Sequence, residues 1–281
     1  MKSNISAYCI SSIEDKSAAS WFESKLNTHQ TISGFFLAFG MISKKISKTP
    51  ISIDQALESE IKSVDPAFDQ TCWTLDQFCR LALLLQLPAG ENKEIIEKLL
   101  ASADMREQVA IFKSLVLLDN ASDFSACVVD GIRTNMIDVF DSIAHFNGFA
   151  FNYFSEDAWN QMALKAIFME RSIFYIYGID NRKNQKLADI LHDYVHERWS
   201  AGRAVNPELW RMISGYMNDE ILEDLKKVIA TDTETAKAAA IKVITESSNT
   251  NATNWLSEKG LAPSEKSWDD IGHEVWLNAQ N

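Results

Sequence analysis

Apolar residues recur every three or four positions along most of the chain, which is the spacing of one face of an α-helix. The pattern predicts helices that begin near Trp21, Ile32, Phe78, Ile95, Asp104, Ser155, Asn184, Pro207, Asp219 and Glu234. We therefore expect an all-α fold of antiparallel helix pairs. The pairs would form an α-solenoid, for which a HEAT-like repeat is one form, or an irregular helical array.

Several predicted helices begin with residues that satisfy free backbone amides. Thr74 with Gln77, and Asp104 with Glu107, have the spacing of a capping box. Ser155 is placed to cap the next helix. Only 10 Gly and 5 Pro occur among 281 residues, too few for the frequent turns of an all-β fold.

Residues 247–253 are the only clearly linker-like stretch. We predict a helical-array domain over residues 1–248, followed by a linker and a C-terminal helical appendage over residues 249–281. A clean repeat period of about 34 or 40 residues is not evident. The solenoid therefore remains one of two alternatives beside the irregular array.

The net charge of −12 argues against a nucleic-acid partner, which needs basic residues to neutralise phosphates. Residues 1–15 lack the apolar run of a secretory signal, and four scattered cysteines do not indicate a disulfide framework. We expect a cytoplasmic protein with reduced thiols. The longest apolar window, residues 159–179, contains three charged residues, so we expect the buried centre of the fold and no stable membrane insertion.

Lys165 is the only charge in the run from Trp159 to Met169, which predicts a helix that is buried on all sides. Its ammonium group would then need an acidic or carbonyl partner, or a ligand. Alternatively, the stem packs while the head reaches solvent. We predict that Lys165 lies close to the helix that carries His196 and Arg198, with Asp180 among the available carboxylates.

On the predicted helix from Asn184 to Ala201, the wheel places His192 and His196 together opposite the apolar stripe. Two histidines four residues apart can share a metal. A solvated face has the same pattern, however, and the sequence offers no third ligand, so no metal is predicted. Arg198 falls inside the apolar stripe and needs a carboxylate or carbonyl partner. Arg182 and Arg203 flank the same helix, which weakly favours an anionic small molecule as a ligand, although pairing of these arginines within the protein is the stronger expectation.

Motifs of hydrolases, dinucleotide sites and phosphate loops are absent from the sequence. We therefore assign no catalytic residue and expect no cofactor. Asp269-Asp270 and Asn218-Asp219-Glu220 are interpreted as the solvated starts of helices.

A distinctive string of motifs runs from Trp159 to Arg211. Its pieces include Asn160-Gln161-Met162, Leu164-Lys165-Ala166, Gly178-Ile179-Asp180, His196-Glu197-Arg198-Trp199, Ala201-Gly202-Arg203 and Pro207-Glu208-Leu209-Trp210-Arg211. With these residues, the stretch resembles the EboA family of bacterial proteins. His192 lies outside the family pattern.

The resemblance implies a gene neighbourhood with a UbiA-type prenyltransferase and predicted metal-dependent hydrolases, associated with making or exporting a small metabolite. On this basis we expect a non-catalytic component of such a pathway that binds a small anionic metabolite or pathway proteins. The alternative is an enzyme acting on an anionic or isoprenoid-derived small molecule, with Lys165 or His196 as acid or base. The predicted ligand-binding residues are Asn160, Lys165, Arg182, His196, Arg198 and Arg203. The oligomeric state is left open.

Overall fold

The computed structural model describes residues 1–27 and 31–279. Within these residues the chain forms 17 α-helices and no β-strand, which confirms the predicted all-α fold of packed helix pairs. The chain divides into two compact units, Met1–Phe154 and Ser155–Asn281. The domain boundary predicted near residue 249 remains a prediction.

The first unit contains two 3-10 turns, Gln70–Cys72 and Ala121–Phe124, among its α-helices. In chain order the helices are α1 (Lys2–Ser12), α2 (Lys16–Asn27), α3 (Ile32–Lys45), α4 (Gln55–Lys62), α5 (Leu75–Leu84), α6 (Asn92–Leu100), α7 (Met105–Leu115), α8 (Ser125–Gly131), α9 (Ile137–Ala144) and α10 (Phe149–Tyr153).

Helix α5 lies at the centre of the first unit. Helices α1, α3 and α7 pack against it, and α9 packs against α7. Phe78 and Leu81 of α5 are fully buried, and so is Arg80, whose Nη1 donates to Asp76 Oδ2 at 2.9 Å. The capping boxes at Thr74 and Asp104 begin α5 and α7, as predicted.

The second unit contains the 3-10 turns Ile173–Tyr175 and Ile179–Arg182. Its α-helices are α11 (Glu156–Phe168), α12 (Gln185–Ser200), α13 (Leu209–Ile213), α14 (Asp219–Thr231), α15 (Glu234–Glu246), α16 (Thr250–Glu258) and α17 (Trp268–Ala279). Helix α15 contacts α13, α14, α16 and α17, so it forms the centre of this unit.

Two local predictions are corrected in the second unit. The helix expected to begin at Pro207 begins at Leu209, because the Asn206 side chain accepts a hydrogen bond from Glu208 N and holds this segment in a turn. The supposed linker over residues 247–253 contains the N-cap Asn249 and the first turn of α16. No helix of the described residues is both long and apolar enough to cross a bilayer.

The prediction that the helix carrying Lys165 is buried on all sides is wrong. Trp159, Met162 and Ala166 of α11 are fully buried, whereas 51% of Phe168 is exposed. The long apolar window is also not one helix, since α11 ends at Phe168 and Glu170 follows with a positive φ of 55°.

Helices α11 and α12 run side by side in the same general direction. Asp157 contacts Lys186 near the start of both helices, and the rings of Phe168 and Tyr194 lie 4.5 Å apart further along. This direction is possible because a connection of 16 residues, 169–184, returns the chain to the start of α11. This arrangement of the two helices aligns Lys165 with the middle of α12.

Candidate functional site

Asn160 and Arg182, two of the predicted ligand-binding residues, meet at the junction between the starts of α11 and α12. The Asn160 and Asn184 amides exchange two hydrogen bonds of 3.1 and 2.8 Å, and Asn184 also caps α12. The Arg182 guanidinium stacks 4.7 Å from the centroid of the buried Trp159 ring. Burial lowers the pKa of Arg182. In the present geometry, these contacts join the two helices.

Lys165 is half-buried on α11, and desolvation lowers its pKa. The ring contact between Phe168 and Tyr194 brings this part of α11 against α12. The proximity of Lys165 to His196 and Arg198 stays a prediction, and the alignment of the two helices supports it.

Arg198 is half-buried and paired within the unit, as its position in the apolar stripe requires. Its Nε donates to the Ala204 carbonyl at 2.9 Å, and its Nη2 lies 3.8 Å from Glu170 Oε1. The backbone N–H of Arg203 donates to the Arg198 carbonyl, whereas the Arg203 side chain is exposed. Arg198 therefore closes the turn that follows α12, and Arg203 is presented to solvent.

We expected Asp180 among the possible counter-ions of Lys165, His196 and Arg198. In the fold, Asp180 pairs with a different residue. Asp180 accepts two hydrogen bonds from the buried Arg211, at 2.6 and 3.0 Å. Arg211 also donates to Asp269 at 2.8 Å. The hydrogen bonds and positive charge of Arg211 lower the pKa of Asp180, although burial acts in the opposite direction. Arg211 thus ties the turn after Gly178 to the start of α17.

His192 and His196 of α12 converge on Asp224 of α14. The Nε2 atoms of both histidines lie 2.8 Å from the same carboxylate oxygen, Asp224 Oδ2. His192 and Asp224 are buried, and 42% of the His196 side chain is exposed. The interpretation of this face as solvated is therefore wrong for His192, because α14 covers it. Asp224 supplies the third potential ligand that the sequence did not reveal.

The second oxygen of Asp224 is held by Lys227, whose Nζ lies 2.7 Å from Oδ1. Burial raises the pKa of Asp224, but the hydrogen bonds from Lys227 and His192 outweigh it, so the pKa lies below its ordinary value. Lys227 also lies over the Trp199 ring at 5.7 Å, and the His196 ring meets the same indole edge to face. The Asp224 carboxylate is therefore ionised and accepts hydrogen bonds, and the partly exposed His196 side chain lies beside it.

The first unit contains a cavity of about 470 Å³ between the starts of α5 and α7 and the helix α9. This volume lies within the range of small-molecule sites. Its lining combines cations, carboxylates and apolar side chains, among them Lys113, Arg106, Asp138, His145, Met105 and Val109. The cavity can therefore accommodate a small molecule that carries both polar and apolar groups.

Lys113 lies on the wall of this cavity, where desolvation lowers its pKa. Its Nζ donates to the Cys72 carbonyl and, at 3.3 Å, to Gln77 Oε1, and it lies 5.4 Å from the Trp73 ring centroid. Burial also raises the pKa of the neighbouring Cys72 thiol, which is therefore uncharged at neutral pH. These contacts fix one cationic group at the cavity wall without a reactive thiolate beside it.

Sequence reasoning missed this cavity, the role of Asp224 and the pairs of Arg211. The cavity joins helices that are far apart in the sequence, and α14 brings Asp224 to the histidines from 28 residues beyond His196. Arg211 and Asp180 both belonged to the motif string, but nothing local in the sequence indicates that they pair with each other or that Arg211 reaches Asp269. The capping boxes, the cap at Ser155 and the position of Arg198 did point to contacts that the fold makes.

A family model described as metabolite traffic protein EboA matches residues 2–214. The match extends far beyond the motif string at residues 159–211 and includes the cavity-forming helices of the first unit, but it ends before Asp224. No curated protein and no solved structure matches the chain. The family match covers most of the sequence, and the chain belongs to the EboA family.

Proposed function

We propose that this chain is a non-catalytic component of a small-metabolite synthesis or export pathway and binds a small molecule in the cavity of its first unit. The cavity of about 470 Å³ is the observation that carries this proposal. It lies within the part of the chain that matches a family described by metabolite traffic.

The lining indicates the chemistry of the ligand. Lys113 and Arg106 offer positive charge, Asp138 and Asp141 accept hydrogen bonds, and Val109 provides apolar contact. A molecule with an anionic or hydroxyl-bearing end and a short apolar body matches this combination. The fixed position of Lys113 favours binding, because the site is organised before the ligand arrives.

The charged residues of the second unit form a second part of the proposal. Lys165 is half-buried and Arg203 is exposed, so both can contact an anion from solvent. Asn160, Arg182 and Arg198 hold the surrounding helix junction and would position these two cations. This surface would contact either the metabolite or another protein of the pathway.

The test is equilibrium dialysis of the purified full chain against a metabolite extract from cells that make the chain, followed by mass spectrometry. The proposal predicts that a compound is retained and recovered with unchanged mass, at a ratio approaching one per chain. Conversion of a compound into a product would instead support the enzyme alternative, with His196 or Lys165 as acid or base. Retention of no compound would contradict the proposed binding.

A further inference from the structure

We propose that His192, His196 and Asp224 form a binding site for a divalent transition-metal ion of the Zn²⁺ or Co²⁺ class. This inference goes beyond the proposed function and does not depend on the cavity of the first unit. It rests on the geometry of three side chains from two helices, α12 and α14.

The spacing of the histidines provides the first part of the argument. Residues four apart on a helix lie on the same face, and the rings of His192 and His196 are 4.9 Å apart. Both present Nε2 toward the same point, occupied by Asp224 Oδ2. One ligand atom from each of the three residues lies within 4.8 Å of the other two.

The contact distances fit a metal after a small adjustment. Zinc binds imidazole nitrogen and carboxylate oxygen at about 2.0–2.2 Å, so tetrahedral ligand atoms lie about 3.3–3.6 Å apart. Each histidine nitrogen is now 2.8 Å from Asp224 Oδ2. An outward shift of about half an ångström for each nitrogen, which side-chain rotation can provide, opens the space for an ion.

The direction of the His196 nitrogen supports a metal more than a closed hydrogen-bond network. His192 Nε2 forms a hydrogen bond with Asp224 Oδ2. His196 Nε2 is equally close and is buried, but it has no aligned hydrogen-bond partner among the described residues. A buried ring nitrogen beside a carboxylate, without an aligned partner, is a nitrogen that a cation can use.

The donor set selects the class of metal. Two imidazoles with one carboxylate suit zinc, iron(II), cobalt, nickel or copper, whereas Mg²⁺ and Ca²⁺ prefer oxygen ligands. Three protein ligands leave the fourth position of a tetrahedral site to a water molecule or an anionic group. Lys227 remains on the other carboxylate oxygen and orients Asp224, as outer-shell partners commonly do.

The test is a titration of the full chain, free of any affinity tag, with Co²⁺ and with Zn²⁺. We expect one ion per chain, visible absorption bands of four- or five-coordinate Co²⁺, and a higher melting temperature with Zn²⁺. The variant His196→Gln should weaken binding by more than about 100-fold, since even outer-shell changes cost about 10–100-fold. The exposed His273 is the matched control, and His273→Gln should bind like the unaltered chain.

His196 is partly exposed, so its variant should fold, and circular dichroism checks this. If the unaltered chain shows no stoichiometric binding, the proposal is wrong. It is also wrong if His196→Gln binds as tightly as the His273→Gln control, or if the cobalt spectrum shows thiolate bands that place the ion at a cysteine. The cavity of the first unit is untouched by these variants, so this failure would leave the proposed function standing.

Discussion

Glu208 Oε1 accepts a hydrogen bond from the backbone N–H of Phe174 at 3.0 Å, and this carboxyl group is almost completely buried. Burial raises the pKa of Glu208 from its ordinary value of 4.5 to about 7, although the hydrogen bond from Phe174 opposes the rise. The folded chain therefore binds a proton at Glu208 that the unfolded chain releases between these two pH values.

This difference predicts a loss of stability as the pH rises. Because the native state holds the extra proton, the contribution of Glu208 to the free energy of unfolding falls between about pH 4.5 and pH 7. The variant Glu208→Gln removes this contribution. Between pH 5 and pH 8, the stability of the variant relative to the unaltered chain should rise by about 2–3 kcal/mol. Denaturant unfolding at several pH values measures it, and parallel pH profiles for the two proteins would contradict the account.

A close approach of α17 to the same region gives a second prediction. A Cβ atom at Gly272 would lie 2.7 Å from Phe174 Cδ1 and 2.8 Å from Glu208 Oε1. Gly272→Ala should therefore destabilise the chain by about 1–3 kcal/mol, despite the better helix propensity of alanine. At Gly90 an added Cβ meets no atom within 4 Å, so Gly90→Ala is the control and should be neutral or slightly stabilising. Equal melting temperatures for the two variants would show that α17 does not pack as described.

The buried ion pair in α5 gives a third prediction. Arg80 is fully buried and donates to Asp76 Oδ2, and Thr74 Oγ1 donates to the other oxygen of the same carboxylate. Arg80→Met should destabilise the chain by about 3–5 kcal/mol, because it leaves a buried carboxylate without its counter-ion. The double variant Asp76→Asn with Arg80→Met should recover part of this loss. A strictly additive double variant in denaturant unfolding would argue against the coupling.

Lys165 and Arg203 test the second part of the proposed function. Lys165→Met and Arg203→Ala should abolish the pathway output of cells while changing the free energy of unfolding by no more than about 0.5 kcal/mol. Lys226→Met, at an exposed pair with Glu223, is the control and should keep the output. Normal output from the Lys165 and Arg203 variants would remove these residues from the site. A large loss of stability in Lys165→Met would indicate an internal ion-pair network instead.

Features determined by neighbouring residues could be predicted from the sequence. The fold contains the three predicted helix caps, which are the capping boxes at Thr74 and Asp104 and the cap at Ser155. Each cap depends on residues that are only three positions apart. The helix predicted to begin near Glu234 begins at that residue, because its cap Thr233 and its apolar face lie within the same segment.

Features that depend on packing between distant segments could not be predicted. Asp224 reaches the histidines of α12 only because α14 packs there, and His192 is buried for the same reason. The helical wheel assigned His192 to solvent since it considers one helix alone. The start of α13 was misplaced because the Asn206 side chain holds a turn where the local pattern of Pro207 favours a helix.

The central claim is that the first unit binds a small molecule. A variant that fills the cavity tests this claim most directly. Met105 lines the cavity, whereas Met136 of the same unit does not, and the two are similarly exposed at 39% and 40%. The dissociation constant of the compound retained in dialysis should be measured for Met105→Trp and for Met136→Trp. The account predicts that the indole at residue 105 fills the cavity and weakens binding at least about tenfold, a cost of about 1.4 kcal/mol, while the variant at residue 136 binds normally. Equal affinities of the two variants would contradict it.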